Sequence, residues 1–152
     1  MIIEVSPASC TASAPTAVRV LKKQDPALLT QYDLSSLRAL FFAGEPLDEP
    51  TAAWISQGLG KPVIDNYWQT ETGWPILSLC NGVEQAPSKF GSPGKAVYGY
   101  DVKLLDEHTG EELTGPNQKG VLAIEGPLPP GCLQTVWRDD AAMSAFAYRP
   151  GE

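Results

Sequence analysis

"LRALFFAGEPLDEPTAAWISQGLGKPVIDNYW", Leu37 to Trp68, is the stretch that decides the fold. Leu37 to Ala43 is nearly continuous apolar sequence, which suits a strand covered on both faces, and Gly44 ends it. "DEPTAAWISQGLG" then reads as a helix. Asp48 is placed to cap its start, Pro50 falls in the first turn, and Gly58 or Gly60 closes it. "KPVIDNYW" returns as a second buried strand. Strand, helix and strand over this length predict a parallel crossover unit. The strands run out into "AGEP" and "DNYWQTETG", so both turns lie at carboxyl ends, where open α/β sheets take their ligands.

Upstream, "APTAVRVLKKQ" predicts a helix with Pro15 in its first turn and an apolar stripe of Ala17, Val18, Val20 and Leu21. Pro26 breaks it, and Leu28, Leu29 and Tyr32 suit a second short helix before the "DLSSL" turn. Downstream of Pro75 the character changes. "PILSLCNGVEQAPSKFGSPGKAVYG" is rich in Gly, Pro and Ser and carries no helical period. "YDVKLLD" and "VLAIEGP" alternate across a turn-rich connection and read as the strands of a hairpin. The expected architecture is α/β: a parallel βαβ part over residues 1–75, then an antiparallel β part over 76–152, with the boundary around 76–92. No internal repeat is visible.

The bulk properties bound the function. A chain of 152 residues is the size of one ordinary domain, and 14 glycines with 14 prolines argue against a helical bundle. A formal net charge of -7 argues against nucleic acid or an anionic membrane as partner, though not against a nucleotide, since backbone N–H groups hold phosphates without net positive charge. Cys10, Cys80 and Cys132 are far apart and there is one histidine, so a zinc site is not expected. An odd cysteine count, no signal-type start and no long apolar run point to the cytoplasm.

Three motifs carry competing readings. "FGSPGK", Phe90 to Lys95, looks like a phosphate loop but lacks a GKS or GKT ending and a following helix, so a turn entering a strand is the better reading. His108, within "DEHTGEE", reads as a solvated hairpin-tip residue; without a serine elbow or second histidine a hydrolase triad is poorly supported. "YWQTETG" is different. Aromatic packing explains Tyr67 or Trp68, but not Thr70, Glu71 and Thr72 in succession. Hydroxyls and amides at such a turn can hold a phosphate, a carboxylate can hold Mg²⁺, and an aromatic can stack on a base.

On these turns the chain resembles the acetyl-/propionyl-CoA synthetase branch of the adenylate-forming acyl-CoA synthetases. The resemblance rests on "SAPTAVRVLKKQDPALLTQYDLSSLRALFFAGEPLDEPTAAWIS", "PVIDNYWQTETGWPI", "GSPGKAVYGYDVKLLDE" and "KGVLAIEGPLPPGCLQTVW", spanning Ser13 to Trp137. It implies part of the large N-terminal domain of such an enzyme, with residues 1–75 ending its α/β adenylate-binding subdomain and 76–152 forming part of a barrel-like antiparallel subdomain. The implied reaction joins propionate, or acetate, to CoA through an acyl-adenylate, using ATP and Mg²⁺ and releasing AMP and pyrophosphate. Gly44, Glu45 and Pro46 would line the adenine pocket, with Asp65, Asn66, Tyr67 and Gln69 on its second wall. Thr70 would contact the α-phosphate, Glu71 would help hold Mg²⁺, and Trp68 would limit acyl length, favouring short carboxylates and propionate in particular.

The family's upstream phosphate loop, its ribose-binding aspartate and its C-terminal catalytic lysine have no counterpart here. Residues 1–12 and the run after Trp137 depart from the pattern, and Asp139 and Asp140 are not assigned to ribose. The expectation is an internal piece of a ligase that is inactive alone. Its rival is a non-catalytic module that folds, or forms a homodimer through exposed surfaces, without ligase activity. An α/β hydrolase is a third option, without a locatable nucleophile.

Overall fold

The computed structural model describes residues 10–133, 135 and 137–139. The start at 1–9 and Asp140 with the run beyond it lie outside the described residues. The chain divides into two compact units, one containing residues 10–68 and 77–95, the other containing 69–76 and the described residues from 96 onward.

The first unit is built on parallel strands. Strand β1, Cys10–Ser13, leads into helix α1, Pro15–Leu21, and a 3-10 turn at Pro26–Leu29. Strand β2, Ala39–Phe42, is followed by helix α2, Glu49–Leu59, and strand β3, Val63–Tyr67. β2 runs parallel to both neighbours, with Cys10 opposite Ala39 on one side and Leu40 opposite Val63 on the other. The crossover unit is therefore present as the sequence predicts. β4, Leu77–Ser78, then pairs antiparallel with β3 through Asn66 opposite Ser78 and Tyr67 opposite Leu77. A short β5, Lys95–Ala96, completes the sheet order β1-β2-β3-β4-β5.

Local chemistry explains the elements. Asp48 caps α2 by accepting the Thr51 N–H at 3.0 Å, and Pro50 fits the first turn because its missing N–H is not needed there. Of the two candidate stops, Gly60 ends the helix, at φ +61°. Gly58 serves packing instead, since a Cβ there would lie 2.5 Å from Leu29 Cδ1. The core gathers Val18 of α1, Leu37, Leu40 and Phe42 around β2, Leu47, Ala52 and Ile55 of α2, and Val63 of β3. Burying each of the larger side chains, Val, Leu, Ile or Phe, contributes roughly 1.5–3 kcal/mol.

Two expectations need correction, and one strand goes unannounced. β2 is shorter than Leu37–Ala43, and its faces are unequal, since Leu40 and Phe42 are buried while Ala39 and Phe41 are only half-buried. The segment after Pro26 is a 3-10 turn of four residues, with Asp25 accepting the Ala27 N–H at 2.9 Å, and it ends before Tyr32. β1 is a strand that no sequence pattern announces, because "CTAS" is short and mostly polar and becomes a strand only by pairing with β2.

The second unit holds an antiparallel pair, β6 at Asp101–Leu105 and β7 at Val121–Glu125, in register from Asp101 opposite Glu125 to Leu105 opposite Val121. This is the hairpin that the alternating sequence predicts. It remains a two-stranded sheet and closes no barrel among the described residues. Lys103 stands among Asp101 at 3.2 Å, Glu125 at 3.8 Å and Glu112 at 4.0 Å, a surface charge cluster on the ladder.

Candidate functional site

In the first unit, the residues after β2 and along β3 are held by different means. Gly44 adopts φ +93°, a conformation that a side chain would oppose. The Glu45 carboxylate is engaged at both oxygens: Oε1 accepts the Thr16 N–H at 2.7 Å and Oε2 accepts from Arg19 Nη1 at 2.9 Å. Arg19 also donates to the Pro46 carbonyl and, through Nε, to Asp48 Oδ2, each at 2.9 Å. Leu47 is 2% exposed and pins the far end of the turn in the core. Glu45 is therefore held below the ordinary glutamate range, chiefly by its bond to Thr16, and Asp48 is held down to about 2, chiefly by hydrogen bonding to Thr51 and then to Arg19.

On β3, Asp65 is half-buried, and that burial pushes its carboxyl above the ordinary aspartate value against bonds from the Asn66 and Leu47 amides. Asn66 spans strands: Nδ2 donates to Phe42 O at 3.2 Å and Ile64 O at 3.3 Å, and Oδ1 accepts from Ser78 Oγ at 2.6 Å. Tyr67 is half-buried, while Trp68 keeps 45% of its surface exposed. A small cavity of about 230 Å³, counting open solvent, lies between Leu47, Ala52, Asp65 and the 88–92 loop. Without the open solvent its volume is about 10 Å³, room for about one water, so it is not by itself a nucleotide pocket.

In the second unit, "QTETG" forms a 3-10 turn over Thr70–Thr72, capped at Gln69 and ended by Gly73 at φ +64°. The buried Thr72 hydroxyl accepts the Gln69 N–H at 3.2 Å and lies 2.8 Å from Gln69 O and 3.0 Å from Trp74 O, to which its single proton is shared. The Gln69 side chain accepts from the Thr72 amide in return, completing a capping box. Glu71 O accepts the Leu133 N–H at 2.7 Å. Thr72 O receives Tyr100 Oη at 3.3 Å and Cys132 Sγ at 3.5 Å. Burial and the Cys132 contact push the Tyr100 phenol up to about 12. Thr70 is exposed and Glu71 half-buried, so Thr72 is consumed internally while its two predecessors keep accessible surface.

The rejected motifs behave as the bland readings expect. Phe90–Lys95 is a turn with Gly91 and Gly94 at positive φ that enters β5, with no helix behind it. His108 is 83% exposed, its Nε2 3.4 Å from Glu107 Oε1. Among the described residues no cluster of three or more His, Cys, Asp or Glu could hold a metal, and no helix is long and apolar enough to cross a membrane. The sequence reading missed Arg19, Ser78, Tyr100 and Cys132 as supports of the two turns. Their partners are 12–60 residues away, and no local pattern announces such contacts.

A family model described as AMP-binding enzyme matches residues 1–132, so the first twelve residues fall inside the family pattern rather than outside it. The propionate–CoA ligase of Salmonella typhimurium is 64% identical over 129 residues, 85% of this chain and 20% of that protein. The Escherichia coli propionate–CoA ligase is 58% identical over 139 residues, 91% of this chain and 22% of that protein. The mouse mitochondrial acyl-CoA synthetase short-chain family member 3 is 38% identical over 139 residues. The chain thus spans about a fifth of the length of these relatives. Among solved structures, the anthranilate CoA ligase AuaEII in complex with anthranoyl-AMP superposes with a TM-score of 0.74 at 24% identity, covering 94% of this chain and 26% of that one. That likeness extends the agreement to the fold. With a matching model over most of its length, the chain belongs to the AMP-binding enzyme family.

Proposed function

We propose that this chain is the adenylate-handling segment of a short-chain acid–thiol ligase, which converts propionate (or acetate), ATP and CoA to acyl-CoA, AMP and pyrophosphate through an acyl-adenylate. The observation that carries it is the 64% identity to a propionate–CoA ligase over 129 residues, a span that takes in most of the chain. Residues 1–75 are proposed as the end of the α/β adenylate-binding subdomain and 76–152 as part of the antiparallel subdomain.

The proposed roles follow side-chain chemistry. Gly44, Glu45 and Pro46 face adenine through main chain, since the Glu45 carboxylate is already engaged at both oxygens. Asp65, Asn66 and Tyr67 serve the adenine side of β3, and Gln69 continues it. Thr70 offers its hydroxyl and amide to the α-phosphate, where charge develops as the carboxylate attacks. Glu71 suits Mg²⁺: it supplies one hard oxygen donor, and this ion commonly binds through one or two carboxylates with phosphate oxygens completing the shell. When bound, the ion supplies charge neutralisation at the phosphates. The exposed Trp68 ring would wall the acyl chain, admitting propionate and excluding longer chains by sterics. No nucleic-acid or membrane partner belongs to this reading, and a cytoplasmic setting rests on three cysteines that form no disulfide with one another.

Calorimetry tests it. The chain should bind AMP or a propionyl-adenylate analogue, and Thr70→Ala should abolish that binding. Trp68→Ala should relax discrimination against longer acyl-adenylates by about tenfold. With ATP, Mg²⁺, propionate and CoA the isolated chain is expected not to turn over. No adenylate binding, together with a mass that rises with concentration in light scattering, would instead favour the non-catalytic, self-associating module.

A further inference from the structure

We infer that Arg19 is a positioning residue for the Gly44–Pro46 turn, holding the main chain that the nucleotide reading assigns to adenine. It rests on that reading and adds a residue from a different element. Arg19 stands on α1, and its planar fork reaches three acceptors within four residues of the turn: Glu45 Oε2, Pro46 O and Asp48 Oδ2, all at 2.9 Å. The other Glu45 oxygen takes the Thr16 N–H, so α1 grips that carboxylate twice, at positions one turn apart. Gly44 at φ +93° gives the chain its bend, and Leu47 and Asp48 anchor it beyond. Between these ends, Pro46 O is fixed by the guanidinium.

The energetics separate positioning from stability. The Arg19 side chain is 36% exposed and its partners 34% and 43%, so screening and side-chain entropy leave these ion pairs worth little to folding. Geometry is another matter. A guanidinium presents its donors at fixed spacing, which a flexible ammonium cannot reproduce. Losing the fork should leave the fold standing and let the turn's main chain wander, and a displacement of a fraction of an ångström is enough to weaken a ligand held by backbone groups.

The test is AMP titration of the full chain by calorimetry in wild type, Arg19→Ala and Arg19→Lys, with thermal unfolding and amide hydrogen exchange in parallel. Arg19→Ala should weaken AMP binding about tenfold, about 1.4 kcal/mol, while barely moving the thermal midpoint. Arg19→Lys should fall between. Millimolar ethylguanidinium should restore part of the affinity to Arg19→Ala and none to wild type, and the Leu47 and Asp48 amides should exchange faster in the variant. Wild type that binds AMP while Arg19→Ala binds equally well overturns the Arg19 assignment and spares the nucleotide reading. Wild type that does not bind AMP overturns the nucleotide reading and, with it, the ligand-facing role of Arg19. Unchanged exchange at Leu47 and Asp48, or matched losses of stability and affinity with no ethylguanidinium rescue, also overturn it.

Discussion

Two turns that each follow a parallel strand solve the same problem with different chemistry. The turn after β2 is held mainly by charged side chains: Arg19, Glu45 and Asp48 tie it to α1, and Asp65 accepts the Leu47 amide. The turn after β3 is held by neutral groups: a capping box between Gln69 and Thr72, the Leu133 N–H on Glu71 O, and Tyr100 with Cys132 at Thr72 O. Exposed ion pairs are soft, screened and pH-dependent, whereas a buried hydroxyl satisfied on both sides is costly to disturb. The first turn should therefore be adjustable and the second rigid.

Breaking the neutral turn should have the largest effect. Thr72→Val keeps the shape of the side chain but orphans the Gln69 amide and removes the hydroxyl, so urea unfolding should show a loss of about 2 kcal/mol. A loss near zero would mean that the capping box is incidental. Gly73→Ala should come next, at about 1–2 kcal/mol, because an L-residue at φ +64° is strained and its Cβ would sit 3.2 Å from Gly131 O.

The charged turn should answer more weakly and through solution conditions. Asp48 and Glu45 both have carboxyls depressed below their ordinary values. A depressed folded-state value contributes stability that is present above the unfolded value, 3.8 for Asp48, and that disappears as pH falls toward about 2. Acidification from about 3.8 toward 2 should thus lower the protection of the Leu47, Asp48 and Thr51 amides, measured against their intrinsic exchange rates, before it does so at Thr72. Asp65 acts with the opposite sign: its raised value favours the fold at low pH and withdraws that support as pH climbs through it, so Asp65→Asn should flatten this part of the profile. Smallest of all, raising salt to about 1 M, where the Debye length shrinks to about 3 Å, should loosen the first turn slightly and leave the second untouched. Equal salt responses at the two turns would erase the contrast.

Much of the candidate site was legible in the linear chain. Asp48 as helix cap, a glycine stop at Gly58 or Gly60, the parallel crossover and the two carboxyl-end turns all follow from patterns confined to a few residues. "YWQTETG" was equally readable as a motif, although Thr72, grouped there with Thr70 and Glu71, proves to be spent on holding its own turn. The hairpin of β6 and β7 was visible from alternation, but the barrel-like arrangement implied by the resemblance is a two-stranded sheet among the described residues.

The sequence by itself therefore determined the crossover unit, its cap, and the family to which its motifs belong, because periodicity, capping and motif chemistry act over a handful of neighbouring positions. Only the tertiary structure decided that polar "CTAS" would be a strand, that Ser78 would clip Asn66, and that Arg19 would grip a turn 26–29 residues away. Those contacts exist only once the sheet has folded, since strand pairing and ion-pair geometry depend on which distant segments the core brings together.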